Sequence, residues 1–249
     1  MNITDKRAVI TGAAGGIGHA ISRLYAEAGA RLYLVDRDPE RLAQVLTALA
    51  DQYPGRVTGV TLDVTQEAAV AEMVAGAETA MGGIDILVTC SGAITEMEIE
   101  TMSLDDWRQI MSANLDSVFL ACRAVLPGMK RQGAGRIITV SSQIGQRGAP
   151  RFTHYAASKA GVIGFTKALA REAAPHGILV NSVAPGPVLT QFNRDLRPET
   201  LDGTEAALPL GRAAQPDDIA GAALLLAASP HGDVFVGQTL GPNCGDVML

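Results

Sequence analysis

Ala8-Val9-Ile10-Thr11-Gly12-Ala13-Ala14-Gly15-Gly16-Ile17-Gly18-His19-Ala20 is the stretch on which the fold turns. Its first four residues are apolar or β-branched and read as a short buried strand. Glycines then cluster at Gly12, Gly15, Gly16 and Gly18, and from Ile17 to about Ala28 apolar residues recur at helical spacing. A strand that passes through glycines into a helix brings open backbone N–H groups and the positive end of the helix dipole to one point. With no Cβ in the way, that point favours a pyrophosphate. In this setting the turn predicts dinucleotide binding, with Gly12, Gly15, Gly16, Ile17 and Gly18 as the contact residues.

The same alternation runs outward along the chain. Further strands are expected at Arg31–Val35, Val57–Leu62, Asp85–Thr89, Arg136–Val140, Ile178–Val183 and Gln238–Leu240. Helices are expected from Pro39 towards Ala50, from Gln66 to Met81, Leu104 to Arg131, Tyr155 to Ala173 and Pro216 to Ala228. Strands that alternate with helices need crossover connections, so they run parallel. Their near-continuous apolar runs suit a sheet covered on both faces. The expectation is an α/β fold: one Rossmann-like, doubly wound parallel sheet of about seven strands, in a single domain over residues 1–249. The proline-containing stretch at about 185–213 reads as a substrate loop.

Composition agrees. Of 249 residues 47% are hydrophobic and 18% charged, which excludes a disordered chain, and the net charge of −6 argues against a nucleic-acid partner. Cys90, Cys122 and Cys244 form no metal-ligand spacing, so no metal site is expected. They suit a reducing, cytoplasmic setting without structural disulfides. The most apolar run, 219–228, is about half the roughly 20 residues of a membrane span, and the N-terminus shows no signal-peptide pattern.

At the end of the second strand Asp36 stands where an adenosine ribose should lie. Its carboxylate suits the two ribose hydroxyls and repels a 2′-phosphate; at about 4 Å and an effective dielectric near 20 each like-charge pair costs about 4 kcal/mol before screening. This argues for NAD over NADP. Neighbouring Arg37 is the complication, since an arginine there can pair with a phosphate, although it also reads as a solvated side chain at a strand end.

The chemistry is carried by Tyr155-Ala156-Ala157-Ser158-Lys159. Residues four apart share a helix face, so the Lys159 ammonium is expected beneath the Tyr155 hydroxyl, lowering its pKa. Tyr155 then serves as general acid/base towards an alcohol or carbonyl oxygen. Ser142 follows the fifth strand, at the carboxyl end of the sheet where such folds bind ligands.

Taken together, the turn at Thr11–Gly18, Asp36, Asp63-Val64, Asn114, Ser142, Tyr155, Lys159 and Pro185-Gly186 resemble the short-chain dehydrogenase/reductase family over essentially the whole chain. The resemblance implies that Tyr155 exchanges the proton, Ser142 hydrogen-bonds the substrate oxygen, Lys159 binds the nicotinamide ribose, and Asn114 holds a water that relays the proton. It implies adenine contacts from Asp63 and Val64. Gly92 would allow close approach of the cofactor, Pro185, Gly186 and Val188 would flank the nicotinamide, and Thr190 would reach its carboxamide. Gln143, Arg147, His154 and Phe192 are candidates for substrate contact, with Arg194 and Arg197 as further cations near the pocket.

Two departures stand out. Thr89-Cys90-Ser91-Gly92 replaces the usual Asn-Asn-Ala-Gly, and Gly241-Pro242-Asn243-Cys244-Gly245 replaces the usual C-terminal Val-Asp-Gly-Gly. The leading expectation is an NAD-dependent dehydrogenase acting on a secondary alcohol: a polyol, a cyclic alcohol or a hydroxy acid. The alternative is an NADPH-dependent 3-oxoacyl thioester reductase, and a remoter one is a non-catalytic dinucleotide-binding protein. The small and apolar residues along the helix of Tyr155 suggest an interface, and the resemblance implies a homotetramer.

Overall fold

The computed structural model describes residues 1–193, 196 and 204–248. Seven strands, β1 (Arg7–Thr11), β2 (Arg31–Asp36), β3 (Val57–Thr61), β4 (Ile86–Thr89), β5 (Gly135–Val140), β6 (Ile178–Val183) and β7 (Thr239–Leu240), form one sheet in the order β3-β2-β1-β4-β5-β6-β7. Every pairing is parallel. The direction of winding reverses between β1 and β4, and that reversal opens a crevice above their carboxyl ends.

Helices cover both faces: α1 (Gly16–Glu27), α2 (Pro39–Gln52), α3 (Glu67–Met81), α4 (Leu104–Met111), α5 (Ser117–Gln132), α6 (Ile144–Arg147), α7 (Thr153–Ala173), α8 (Thr204–Ala207) and α9 (Pro216–Ala227). Side chains alternate across a strand, so each strand feeds two cores. Ala8, Ile10, Leu32 and Leu34 pack with residues of α1, α2 and α9. Val9, Tyr33 and Val35 pack on the opposite face with residues of α3, α5 and α7. The unbroken apolar runs seen in the sequence follow from this double coverage.

Several boundaries differ from expectation. The long helix expected from Leu104 is α4 and α5 joined by a π turn at Ser112–Asp116. Short α6 and α8 fall in stretches that carry no periodicity, and α7 begins two residues before Tyr155. Within the stretch 185–213, Val188 bridges Ala214 and Gln191–Asn193 form a 3-10 turn; Arg194 and Arg197 lie outside the described residues. Leu104–Gln132, 29 residues with an 18-residue window of mean hydropathy 1.2, is long and apolar enough to cross a membrane, contrary to the expectation from apolar runs. Its apolar residues are interspersed with polar ones, which hid it. Val118, Cys122, Val125 and Met129 are buried in the second core, so here it serves as a core helix.

Candidate active site

The glycine turn is built for close approach. Gly12 has φ +68°, and a Cβ there would stand 2.7 Å from the Ser91 nitrogen; one on Gly18 would stand 2.0 Å from the Gly12 oxygen. No side chain caps the N-terminus of α1 at Gly15, so the N–H groups of its first turn are left to an anionic ligand. Asp36 Oδ2 accepts from the Ala14 N–H at 2.9 Å and Oδ1 from the Asp38 N–H at 3.1 Å, which fixes the carboxylate beside the turn. Each oxygen keeps a lone pair for a hydroxyl donor. A turn without side chains, an open helix end and a held carboxylate fit a dinucleotide with a free ribose diol.

Three of the residues expected in this half lie outside the cavity wall, as Asp36 itself does. Arg37 is exposed; the arginine in the wall at this end is Arg41, on the first turn of α2. Asp63 and Val64 also lie outside the wall. Asp63 Oδ1 accepts from the backbone N–H and hydroxyl of Thr65 at 2.9 and 2.8 Å, and Val64 is buried in the second core. The sequence offered a signal for Arg41: a side chain three residues after the Asp38 cap faces the same way as that cap.

One cavity of about 1000 Å³ joins the turn to the reacting end. Gly92, Ser142, Tyr155, Lys159, Pro185, Gly186, Val188 and Thr190 stand in its wall, and these expected residues meet there from four separate segments. Ser142 comes just past the end of β5, and its Oγ accepts from the Ile144 N–H at 3.1 Å. Tyr155 and Lys159, one turn apart on α7, are both buried. The Lys159 ammonium donates to the Val140 carbonyl at 3.0 Å and stands 5.9 Å from the centre of the Tyr155 ring. Thr190 lies against the turn, where a Cβ on Gly16 would meet its methyl at 2.6 Å.

The electrostatics of the pair run against the simple expectation. Burial pushes the Tyr155 phenol up to about 12, with the Ser142 hydroxyl pulling the other way. Burial likewise pushes Lys159 down to about 8. Lys159 therefore does not bring Tyr155 down towards neutrality in the free chain, where burial dominates the phenol. At neutral pH Tyr155 holds its proton, which suits a donor to a carbonyl oxygen.

Asn114 is fully buried in the π turn, and its side chain is already occupied. Oδ1 accepts from the Ala93 N–H at 2.8 Å, while Nδ2 donates to the Ala93 carbonyl at 2.9 Å and to Ser158 Oγ at 3.1 Å. Both amide hydrogens are used, so the side chain has only a lone pair to offer a relayed water. What Asn114 visibly does is tie the Gly92-Ala93 segment to α7. Gly92 permits this, since a Cβ there would stand 2.7 Å from Asn114 Oδ1.

Of the substrate candidates, Gln143, Arg147 and Phe192 line the cavity together with Ile94, Ile144, Phe152 and Leu196. Arg147 is ion-paired with Asp246 at 2.9 Å, so its charge is balanced. His154 is not in the wall. It is fully buried and its Nε2 hydrogen-bonds Thr95 Oγ1 at 2.7 Å, which removes it as a substrate contact. The departures also find places. Cys90 lines the cavity with its thiol pushed up to about 12 by burial, which leaves it protonated and unreactive. Asn243 packs on Gly186, where a Cβ would stand 2.6 Å from the Asn243 Cα. All three cysteines are free.

With Ser142 beside the phenol, Ser142→Ala is expected to lower kcat at least about tenfold while leaving NADH affinity within a factor of two or so. Stopped-flow turnover and fluorescence titration of NADH check the two halves separately.

A family model described as short chain dehydrogenase matches residues 6–201. The chain belongs to the short-chain dehydrogenase family and is an oxidoreductase that takes a nicotinamide dinucleotide. It is 40% identical over 249 residues to the 3-oxoacyl-[acyl-carrier-protein] reductase FabG of Vibrio cholerae, covering 100% of both chains. To the acetoacetyl-CoA reductase of an Acinetobacter species it is 38% identical over 243 residues, 97% of each. The solved crystal structure of gox2181 superposes with a TM-score of 0.92 at 33% identity, covering 98% of this chain and 96% of that one.

Proposed function

We propose that the chain reduces the keto group of a 3-oxoacyl thioester to the hydroxyl, using NADH in preference to NADPH. The observation that carries the reading is the buried, protonated Tyr155 beside Ser142 at the head of an apolar pocket. Ile94, Ile144, Phe152, Phe192 and Leu196 offer an acyl chain apolar contact. A polyol or hydroxy acid would have to leave water for the same walls, at a cost of roughly 1–3 kcal/mol for each hydroxyl without a partner. The names of the relatives point the same way, so the secondary-alcohol reading gives way to the thioester one.

When bound, the nicotinamide supplies the hydride. Ser142 and Tyr155 hold the carbonyl oxygen, and Tyr155 donates its proton to that oxygen as negative charge develops there. The Lys159 ammonium, 5.9 Å from the centre of the Tyr155 ring, favours the phenolate left behind. The cofactor preference rests on Asp36: at least a tenfold advantage in kcat/KM for NADH is expected, equal to about 1.4 kcal/mol. Acetoacetyl-CoA with each cofactor, followed at 340 nm, tests both statements. No turnover of the thioester alongside oxidation of a simple secondary alcohol would sink the substrate assignment; equal use of the two cofactors would sink the role of Asp36.

A homotetramer is part of the same proposal. Ala160, Gly164 and Ala168 on α7 are exposed, as are Phe119 on α5 and Val234 near β7. Apolar and small residues left open on these elements suit contact with further copies. Sedimentation at micromolar concentration should give four times the chain mass, and a monomer would refute it.

A further inference from the structure

The end of the cavity beside Asp36 holds a small charged device. Asp38 caps α2, its Oδ1 accepting from the Arg41 N–H at 3.1 Å, and its Oδ2 holds Arg41 Nε at 3.3 Å. The Asp38 N–H in turn donates to Asp36 Oδ1 at 3.1 Å, so Asp36, Asp38 and Arg41 form one linked group. Arg41 stands in the cavity wall with Ala14, Gly15, His19, Gln44 and Ala48. No interaction of its two terminal nitrogens is found among the described residues. The pair with Asp38 is partly exposed, at 43% and 40% for the two side chains, and pairs of that kind are weak.

We propose that Arg41 is the cofactor-selecting arginine of this pocket, restrained by Asp38 from pairing with a 2′-phosphate. The inference rests on the reading of Asp36 as the ribose ligand and adds the group that would have to answer a phosphate. With a free diol at the ribose, Asp36 accepts the hydroxyls and the Asp38–Arg41 pair stays neutral beside it. A 2′-phosphate would bring nearly two negative charges to a place already holding two carboxylates, with one guanidinium to offset them. That guanidinium is paired through Nε with Asp38, which offsets its charge, so its open terminal fork meets a phosphate with little net positive charge behind it. Removing the charge at position 38 frees it. Asparagine caps a helix as well as aspartate does, so Asp38→Asn keeps the start of α2 intact.

The test is direct binding to the full chain, with two probes that carry the ribose end and no nicotinamide: 5′-AMP with its diol, and 2′,5′-ADP with its 2′-phosphate. Calorimetric titration of the wild type, Asp38→Asn, Arg41→Ala and the double variant isolates the pair. Asp38→Asn should tighten 2′,5′-ADP at least tenfold and leave 5′-AMP within about threefold, and adding Arg41→Ala should cancel the gain. A gain that survives Arg41→Ala, or no gain in a folded Asp38→Asn chain, overturns the proposal. If the wild type already binds 2′,5′-ADP more tightly than 5′-AMP, the reading of Asp36 falls, and Arg41→Ala alone then decides. A tenfold loss keeps Arg41 as the phosphate ligand, and unchanged binding rejects it.

Discussion

Tyr155→Phe is expected to lose at least about 10²-fold in kcat for reduction while staying folded and binding NADH. The substitution removes one oxygen and keeps the ring, which packs edge-on against Phe152 with centroids 6.4 Å apart. The buried hydroxyl leaves no obligatory partner behind, because Ser142 keeps its bond from the Ile144 N–H. The phenol also predicts a pH dependence. With its pKa at about 12 in the free chain, Tyr155 is protonated throughout pH 6–8, so its contribution to reduction is flat there. The reverse reaction needs the phenolate and should rise with pH across the same range. Near-normal turnover by a folded Tyr155→Phe enzyme would exclude Tyr155 as the proton donor.

Lys159→Met should move activity and stability in opposite directions. Turnover should fall by about 10²-fold or more, with weaker NADH binding, since the ammonium is the buried cation at the phenol. Stability should rise. Burial holds the folded pKa of Lys159 at about 8, below its ordinary 10.5, so the fold disfavours the charged form. Each pKa unit is worth about 1.4 kcal/mol, and the full penalty of roughly 3 kcal/mol applies below pH 8. It shrinks as pH rises and is gone above 10.5, where the unfolded chain is neutral too. Methionine matches the stem and gives up the bond to the Val140 carbonyl, worth about 1 kcal/mol. A melting temperature a few degrees higher at pH 7, with the difference vanishing towards pH 11, is the expected result. A lower melting temperature at pH 7 would mean that the ammonium is better solvated than its burial implies.

How much of this was legible beforehand depends on the range of the interaction concerned. Local pattern alone determined the parallel α/β architecture, because the alternation of apolar runs with helical periodicity leaves few other ways to bury both faces of a strand. It also determined the glycine turn, where the absence of Cβ atoms is itself the device, and the spacing of Tyr155 and Lys159, which a helix places one turn apart. Tertiary structure decided what depends on neighbours distant in sequence. Asn114 is braced by Ala93 and Ser158, so its amide is occupied rather than free for water. His154 adjoins Tyr155 in sequence, yet it is buried on Thr95 and stands outside the cavity wall. Arg37 adjoins Asp36 in sequence, yet the arginine in the wall at that end of the cavity is Arg41. The protonation of Tyr155 was out of reach of the sequence for the same reason. Spacing gives the distance between two charges along a helix, whereas desolvation is set by everything packed around them.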